Sequence, residues 1–184
     1  MKTIEKSMLE ISEKLKGMGD YVKISYLRDC LNNNLNFETR KFVLVRLAGI
    51  YEERSMFGDA AKLYRFASEI NTSTESRIND FVKSTELFIR AGMFDEADAS
   101  YRKALSLAKE IEKNKIVESV KGFYKTQGKL HEANDKRRNA MIIYEKLKSS
   151  FDLDMEEKKF VRERLLFLYD KLGKIKEYLA LKEK

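Results

Sequence analysis

Residues 40–70, RKFVLVRLAGIYEERSMFGDAAKLYRFASEI, are the stretch from which the fold of this chain can be predicted. Apolar residues recur there at helical spacing on one face, stop at a break spanning residues 55–59, and then recur on a second face. The first face consists of Leu44, Leu47, Ala48 and Tyr51, and the second of Ala60, Leu63, Tyr64 and Ala67. The stretch therefore predicts two helices folded back on each other as a hairpin.

The same spacing recurs along the chain: an aromatic residue, a small turn residue four positions later, and then small and aromatic residues at fixed distances. The matching sets are Tyr51, Ser55, Ala60, Tyr64 and Ala67; Phe88, Gly92, Ala97, Tyr101 and Ala104; Tyr124, Gly128, Ala133 and Ala140, with Arg137 in place of the second aromatic residue; Tyr169 and Gly173; and a degenerate first set of Gly17, Val22 and Tyr26. Turns are expected at positions 17, 55, 92, 128 and 173. These intervals predict an all-α solenoid of about five antiparallel hairpins, residues 3–35, 37–71, 75–112, 114–150 and 154–184, in a single domain spanning 1–184.

The composition is typical of an all-helical protein, because the chain has 36% charged residues and no proline in 184 positions. Two helix starts are expected, at Thr72 with Glu75 and at Asp154 with Glu157. Residues 1–112 carry 18 cationic and 18 acidic side chains, so the whole net charge of +7 lies from residue 113 onward. This asymmetry indicates an acidic partner for the C-terminal part of the chain.

Several classes of protein are excluded by what the sequence lacks. No apolar stretch is long enough for a signal peptide or a membrane span. Cys30, the single cysteine, cannot form an internal disulfide, so we expect a cytoplasmic protein in which Cys30 is a small buried residue. His131, the single histidine, is interpreted as a surface residue at a helix start, and we expect no enzyme activity and no catalytic, cofactor or metal site. Adjacent pairs such as Glu52 with Glu53, or Glu156 with Glu157, are read as solvated faces.

The two best copies carry a resemblance to the tetratricopeptide repeat family. Its signature is similar to Leu44, Leu47, Ala48, Tyr51, Ala60, Tyr64 and Ala67, and again to Phe81, Phe88, Gly92, Ala97, Tyr101 and Ala104. The chain departs from the family in lacking the closing proline and in having repeats longer than about 34 residues. The resemblance implies a right-handed superhelix in which the first helix of each hairpin lines a concave groove that binds a peptide or helix of a partner protein.

Matching the register of that family assigns groove positions in four copies. They are Phe42, Val45, Arg46, Gly49 and Glu53; Asn79, Val82, Lys83, Glu86 and Arg90; Lys115, Glu118, Ser119, Gly122 and Lys125; and Phe160, Glu163, Arg164 and Phe167. The apolar members could equally be core residues. One subset of the family clamps a C-terminal carboxylate, but here Val45, Gly49, Lys83 and Ser119 replace clamp residues, so we do not expect that type of recognition.

A group of cations in the C-terminal part is a second candidate surface, for nucleic acid or another acidic partner: Lys121, Lys125, Lys129, Lys136, Arg137 and Arg138. The competing interpretation is a solvated helix face. The sequence therefore favours a non-catalytic adaptor or scaffold that holds a segment of a partner protein in its groove. Binding of RNA or DNA through the basic hairpins is the alternative, and self-association through the solenoid ends is compatible with either.

Overall fold

The structure, a computed structural model, describes residues 7–183. The predicted first hairpin, 3–35, begins outside this range, and the last, 154–184, ends outside it. The described residues form ten helices and no strand: α1 Met8–Leu15, α2 Asp20–Leu31, α3 Phe37–Glu53, α4 Phe57–Ile70, α5 Thr74–Ala91, α6 Phe94–Leu107, α7 Glu110–Ala133, α8 Arg137–Ser150, α9 Met155–Lys171 and α10 Ile175–Lys182. The prediction of an all-α fold is confirmed.

Contacts divide the chain into two compact units, Met1–Ile116 and Val117–Lys184, and the division falls within α7. In the first unit, successive helices from α2 to α6 pack against each other, and α1 also contacts α3. In the second unit, α9 packs against both α8 and α10. Packing between neighbours in sequence is what the hairpin pattern predicts for each unit.

Polar side chains begin several of the helices. The expected start at Asp154 is confirmed, because Asp154 accepts a hydrogen bond from the backbone N–H of Glu157 while the Glu157 carboxylate accepts one from the backbone N–H of Asp154. The expected start at Thr72 is wrong by one residue. Helix α5 is capped by Ser73, whose Oγ accepts from the backbone N–H of Ser76.

Each predicted turn except one contains a residue with left-handed backbone geometry. The φ angles are +76° at Gly17, +59° at Ser55, +73° at Gly92 and +67° at Gly173. The fifth such turn lies at Asp135, with φ +55°, and not at Gly128. Helix α7 continues through the position where the sequence predicted a turn, so that prediction is wrong.

Gly128 has a different reason to be glycine. It is buried within α7, and a Cβ atom at this position would lie 2.6 Å from the ring of Tyr144. No side chain fits in that space without a shift of the ring or the helix. The glycine therefore permits close contact between α7 and α8 and does not end a helix.

The third hairpin is shifted by seven residues relative to the predicted register. Counting from Asp135, the template's small, aromatic and final core positions become Ala140, Tyr144 and Leu147, and all three are buried. Arg137, which the sequence placed at the aromatic position, is an exposed residue at the start of α8. The correct register thus restores the missing aromatic residue of this copy.

The repeat template describes the core of the first unit well. Ala60, Ala67 and Ala104 are fully buried, and Ala97 is nearly so, which leaves room for neighbouring helices to approach closely. Phe88 fills the interior beside them. The core therefore fixes the faces that the remaining side chains present to solvent.

Candidate partner-binding surface

An open hollow of about 540 Å³ lies in the first unit, beside helix α3. Val45, Arg46, Gly49 and Glu53 of α3, all predicted groove positions, line it. The other lining residues are Ser12, Leu15, Lys16, Lys23, Ile50 and Tyr64. The structure thus brings together four of the five predicted groove positions of the first full copy, all except Phe42, with residues of α1, α2 and α4 that the sequence did not assign to a site.

Because Gly49 has no side chain, the part of the hollow beside it is unfilled. No heavy atom lies within 4 Å of the position that a Cβ atom of residue 49 would occupy. A glycine inside a helix costs about 1 kcal/mol relative to alanine. Here that cost is not explained by close packing of the helix, since the space beside the glycine is open.

The hollow combines an apolar wall with a mostly cationic rim. Leu15, Val45 and Ile50 provide the apolar surface, while Lys16, Lys23 and Arg46 provide positive charge against the single carboxylate of Glu53. Lys23 Nζ lies 3.8 Å from Oδ1 of Asp20, and the guanidinium of the exposed Arg46 lies 5.4 Å from the centroid of the Phe42 ring. This surface favours a segment with an apolar side chain and a nearby acidic one.

An ion-pair network joins α3 to α5. Lys83 Nζ lies 3.0 Å from both Glu52 Oε1 and Glu86 Oε2, and Arg90 donates to Glu52 Oε1 at 2.9 Å. Arg90 also lies 3.9 Å from the ring centroid of Phe57. Burial alone would lower the pKa of Lys83, but its hydrogen bonds to Glu52 and Glu86 outweigh burial and raise it.

This network changes the interpretation of several predicted positions. Glu52 was read as part of a solvated face, which is wrong, because it is half-buried and accepts from both Lys83 and Arg90. The predicted groove residues Lys83, Glu86 and Arg90 hold two helices together. Asn79 is exposed, and Val82 is half-buried.

Tyr64 connects the hollow to the network electrostatically. It is half-buried and lines the hollow, although the sequence assigned it to the core. Burial raises the pKa of its hydroxyl, Lys83 opposes this, and Glu52, Asp80 and Glu86 add to it. No signal in the sequence distinguished Tyr64 from its counterparts in other copies.

In the second unit, Glu157 is the centre of a buried charge cluster. Its carboxylate accepts hydrogen bonds from Lys121, at 2.9 Å, and from Lys125, while Lys121 also donates to Glu118 at 2.9 Å. Glu157 is 7% exposed and Lys121 6%. Burial alone would raise the pKa of Glu157, but the hydrogen bonds from Lys125, Lys121 and the backbone of Asp154 lower it to about 2.

The cluster corrects two readings of the sequence. Glu157 is not part of a solvated face, whereas its neighbour Glu156 is exposed. Lys121, named in the cationic patch, lies inside the protein and is neutralised by a carboxylate. The positive charges nearest this cluster therefore contribute less to an external field than the sequence count suggests.

A hollow of about 420 Å³ next to this cluster contains more acids than bases. Lys125 and Lys129 line it, together with four carboxylates and one aromatic ring: Glu118, Asp154, Glu156, Glu157 and Phe160. Lys129 lies 5.3 Å from the ring centroid of Phe160. An excess of carboxylates repels phosphate, so this surface is poorly suited to nucleic acid.

Arg164, a predicted groove residue, pairs with Glu132. Its guanidinium donates to both carboxylate oxygens of Glu132, at 3.2 and 3.0 Å, and the Tyr144 hydroxyl donates to Glu132 at 2.7 Å. Burial raises the pKa of Tyr144, and the Glu132 carboxylate raises it further. Arg164 and Tyr144 thus place three donor groups on one carboxylate between α7, α8 and α9.

The remaining predicted cations are exposed. Lys115 lies near the start of α7, and Lys136, Arg137 and Arg138 lie at the turn before α8 and at its first residues. Arg137 lies 2.9 Å from Oδ1 of Asp135. Lys129 is also exposed, so the accessible members of the predicted cationic patch are Lys129, Lys136, Arg137 and Arg138.

The sequence predicted that His131 is a surface residue at the start of a helix, and this is wrong. His131 lies half-buried in the last turn of α7. Its Nε2 is 3.1 Å from Nε2 of Gln127. Burial lowers the pKa of its imidazole, and Lys136 lowers it further. This correction follows directly from the displaced turn.

Two further features bear on the class of site. Across residues 7–183, no group of three or more His, Cys, Asp and Glu side chains is arranged to hold a metal ion. No helix in this part of the chain has the length and apolar character needed to span a membrane.

Comparison with known proteins gives similarity to solved structures and no match by sequence. No protein-family model matches the chain, and no curated protein matches its sequence. The structure is similar to the crystal structure of BtubC (BKLC) from P. vanneervenii, with a TM-score of 0.41 and 16% sequence identity, over 93% of this chain and 73% of that chain. A likeness at this level assigns neither a family nor a function to the chain.

Proposed function

We propose that the chain is a right-handed, TPR-like solenoid of five helix hairpins that acts as a non-catalytic adaptor or scaffold. The packing of successive helices within each unit supports the hairpin arrangement. Left-handed turn residues at Gly17, Ser55, Gly92, Asp135 and Gly173 support five hairpins with one turn each.

The partner in this proposal is a segment of another protein, bound in the hollow beside α3. The observation that carries the proposal is the convergence of Val45, Arg46, Gly49 and Glu53 on one open hollow of about 540 Å³. A hollow of this volume is within the range of ligand sites in proteins. Leu15 and Ile50 add apolar area for an anchor side chain, and the cationic rim selects for an acidic neighbour.

The proposal also covers the cellular setting of the chain and its self-association. The thiol of Cys30, which is buried and forms no disulfide, is compatible with a reducing, cytoplasmic setting. Exposed Ile175 and Leu179, one turn apart on α10, are an apolar face through which copies of the chain could associate. Nucleic-acid binding is the weaker alternative, since Lys121 and Lys125 are neutralised by Glu157.

The test uses Gly49→Phe, which fills the hollow without entering the core. Wild-type and variant chains are immobilised and exposed to a library of short peptides that vary in apolar and acidic content, and to a structureless RNA. We expect wild type to retain peptides that combine an apolar residue with Asp or Glu, and Gly49→Phe to lose them. Helicity measured by circular dichroism should be the same in both.

Lys62→Phe is the control, because it introduces the same aromatic side chain at an exposed residue of α4 that does not line the hollow. It should retain the peptides bound by wild type. The proposal fails if no peptide is retained, or if Gly49→Phe and Lys62→Phe retain the same set. Retention of RNA that falls steeply with salt would favour the alternative instead.

A further inference from the structure

Helices α4, α5 and α6 form a second, smaller hollow in the first unit, of about 290 Å³. Neither the repeat template nor the groove assignment involves the charged residues that line it. Arg65 and Glu69 come from α4, Arg77 from α5 and Lys103 from α6, while Phe81 and Ser100 are buried beside them. The volume is near the lower end of the range for ligand sites, which suits a small group.

The charges around this hollow are unbalanced. Arg65, Arg77 and Lys103 face the single carboxylate of Glu69, and in the described part of the chain none of these three cations forms an ion pair. Arg65 has one partner of another kind, since its guanidinium lies 5.7 Å from the ring centroid of Phe88. Elsewhere in the same unit, half-buried cations such as Lys83 and Arg90 are paired with carboxylates. The positive charge of this hollow is therefore not neutralised by ion pairs within the described chain.

Arg77 supplies an independent observation. Its Nε atom is buried, yet no hydrogen-bond acceptor in the described chain reaches it. A buried N–H group without an acceptor costs roughly 1 to 3 kcal/mol, and more when the group is charged. A group that offers an oxygen to the Arg77 guanidinium, and draws Nε from its buried position into the hollow, would remove this cost.

The geometry points to a binding site for a phosphate group, either the free ion or a monoester, held by Arg65, Arg77 and Lys103. A phosphate monoester carries about −1.5 to −2 charges at pH 7 and has three strong acceptor oxygens. The guanidinium fork donates two parallel hydrogen bonds to such a group. Three cations and the carboxylate of Glu69 leave a net charge of about +2 around the hollow. This charge matches a dianionic ligand better than a ligand with one carboxylate, and it is too small for a polyphosphate chain.

This site shares no lining residue with the hollow beside α3. The inference does not rest on the proposed adaptor function. The same phosphate chemistry has two sources: a free phosphate ion, or a phosphate esterified to another molecule. The two are distinguished by comparing inorganic phosphate with O-phosphoserine as probes. Serine controls for the amino-acid part of O-phosphoserine, and acetate controls for a singly charged anion.

Isothermal titration calorimetry of the full chain, at a constant ionic strength of about 0.15 M, measures this binding. Wild type should bind at least one phosphate probe with a saturable isotherm and should bind acetate and serine much more weakly. Lys103→Gln should weaken phosphate binding by about threefold to fivefold, which is the size expected for an exposed ion pair. Arg77→Lys keeps the charge but loses the fork and Nε, and it should weaken binding about tenfold or more.

Arg102→Gln is the matched control, because Arg102 is an exposed cation adjacent to Lys103 that does not line the hollow. It should bind phosphate like wild type. Tighter binding of O-phosphoserine than of inorganic phosphate would assign the site to an esterified phosphate, and equal binding would assign it to the ion. The inference is overturned if neither probe gives a saturable isotherm, or if Arg102→Gln weakens binding as much as Lys103→Gln does.

Discussion

Replacing Glu157 by glutamine should destabilise the second unit, because it removes the charge that holds Lys121 and Lys125. Glutamine has the same shape, and its carbonyl oxygen can still accept the backbone N–H of Asp154. The helix start of α9 is therefore largely preserved, and the effect isolates the charge. Lys121, which is 6% exposed, would be left with only the exposed Glu118 as an acidic partner.

The size of the effect follows from the lowered pKa of Glu157, which falls from 4.5 to about 2. A difference of about 2.5 units corresponds to about 3 kcal/mol of the free energy of unfolding. Solvent reaches Lys125, whose side chain is 29% exposed, and screens part of this interaction. We therefore expect Glu157→Gln to lose about 2 kcal/mol at pH 7.

The effect should depend on pH with a definite sign. Because the pKa of Glu157 is lower in the folded state than in the unfolded state, its contribution is complete above about pH 4.5. It disappears as the pH falls toward about 2 and the folded-state carboxylate becomes protonated. The stability difference between wild type and Glu157→Gln should shrink over the same pH range.

Urea unfolding at pH 7 and at successive lower pH values measures these differences, and hydrogen exchange locates them. Amide protection should fall in α9, while α3 and α4 keep theirs. Glu156→Gln is the control, since Glu156 is the exposed neighbour in the same helical turn. Equal urea midpoints for wild type and Glu157→Gln, or an equal loss in Glu156→Gln, would refute the reasoning.

Two smaller predictions concern the backbone. Gly128→Ala should destabilise the chain by about 1 to 3 kcal/mol, because its Cβ atom would lie 2.6 Å from the Tyr144 ring. Gly122→Ala in the same helix should stabilise the chain by about 0.5 to 1 kcal/mol, because no heavy atom lies within 4 Å of that Cβ. Thermal unfolding compares the two variants, and equal changes in their unfolding temperatures would contradict this account of α7. Ser55→Gly should raise the free energy of unfolding by up to about 1 kcal/mol, because Ser55 has φ +59°; a lower urea midpoint for this variant would show that the Ser55 side chain matters more than the backbone strain.

The turns at Ser55, Gly92 and Gly173 could be predicted from sequence because each follows an aromatic residue by four positions. The turn at Asp135 could not, because Tyr124 and Gly128 imitate the same pattern seven residues earlier. Seven residues are close to two turns of a helix, so a pattern displaced by seven residues places its apolar residues on nearly the same helix face. A glycine needed for close packing and a glycine needed for a turn look alike in sequence.

Part of the lining of the hollow beside α3 could be predicted from sequence, and the charge clusters could not. Spacing places Val45 and Gly49 on one face of a helix, and the resemblance to the tetratricopeptide repeat family implied that this face lines a groove. Both residues line the hollow. The pairing of Lys121 with Glu157 joins residues 36 positions apart. Such a pair depends on how α7 and α9 pack. The sequence placed the turn that ends α7 seven residues too early, which is about two helical turns. Glu157 was recognised from sequence only for its local role at the start of α9.

The burial of Cys30 has a practical consequence for spectroscopy. Cys30 is the single cysteine of the chain and is fully buried, so its thiol is shielded from maleimide and methanethiosulfonate reagents in the folded protein. A cysteine introduced at an exposed position such as Arg46 would then be the preferred site of modification without any background substitution. A fluorophore or spin label attached there would report occupancy of the hollow beside α3 in real time.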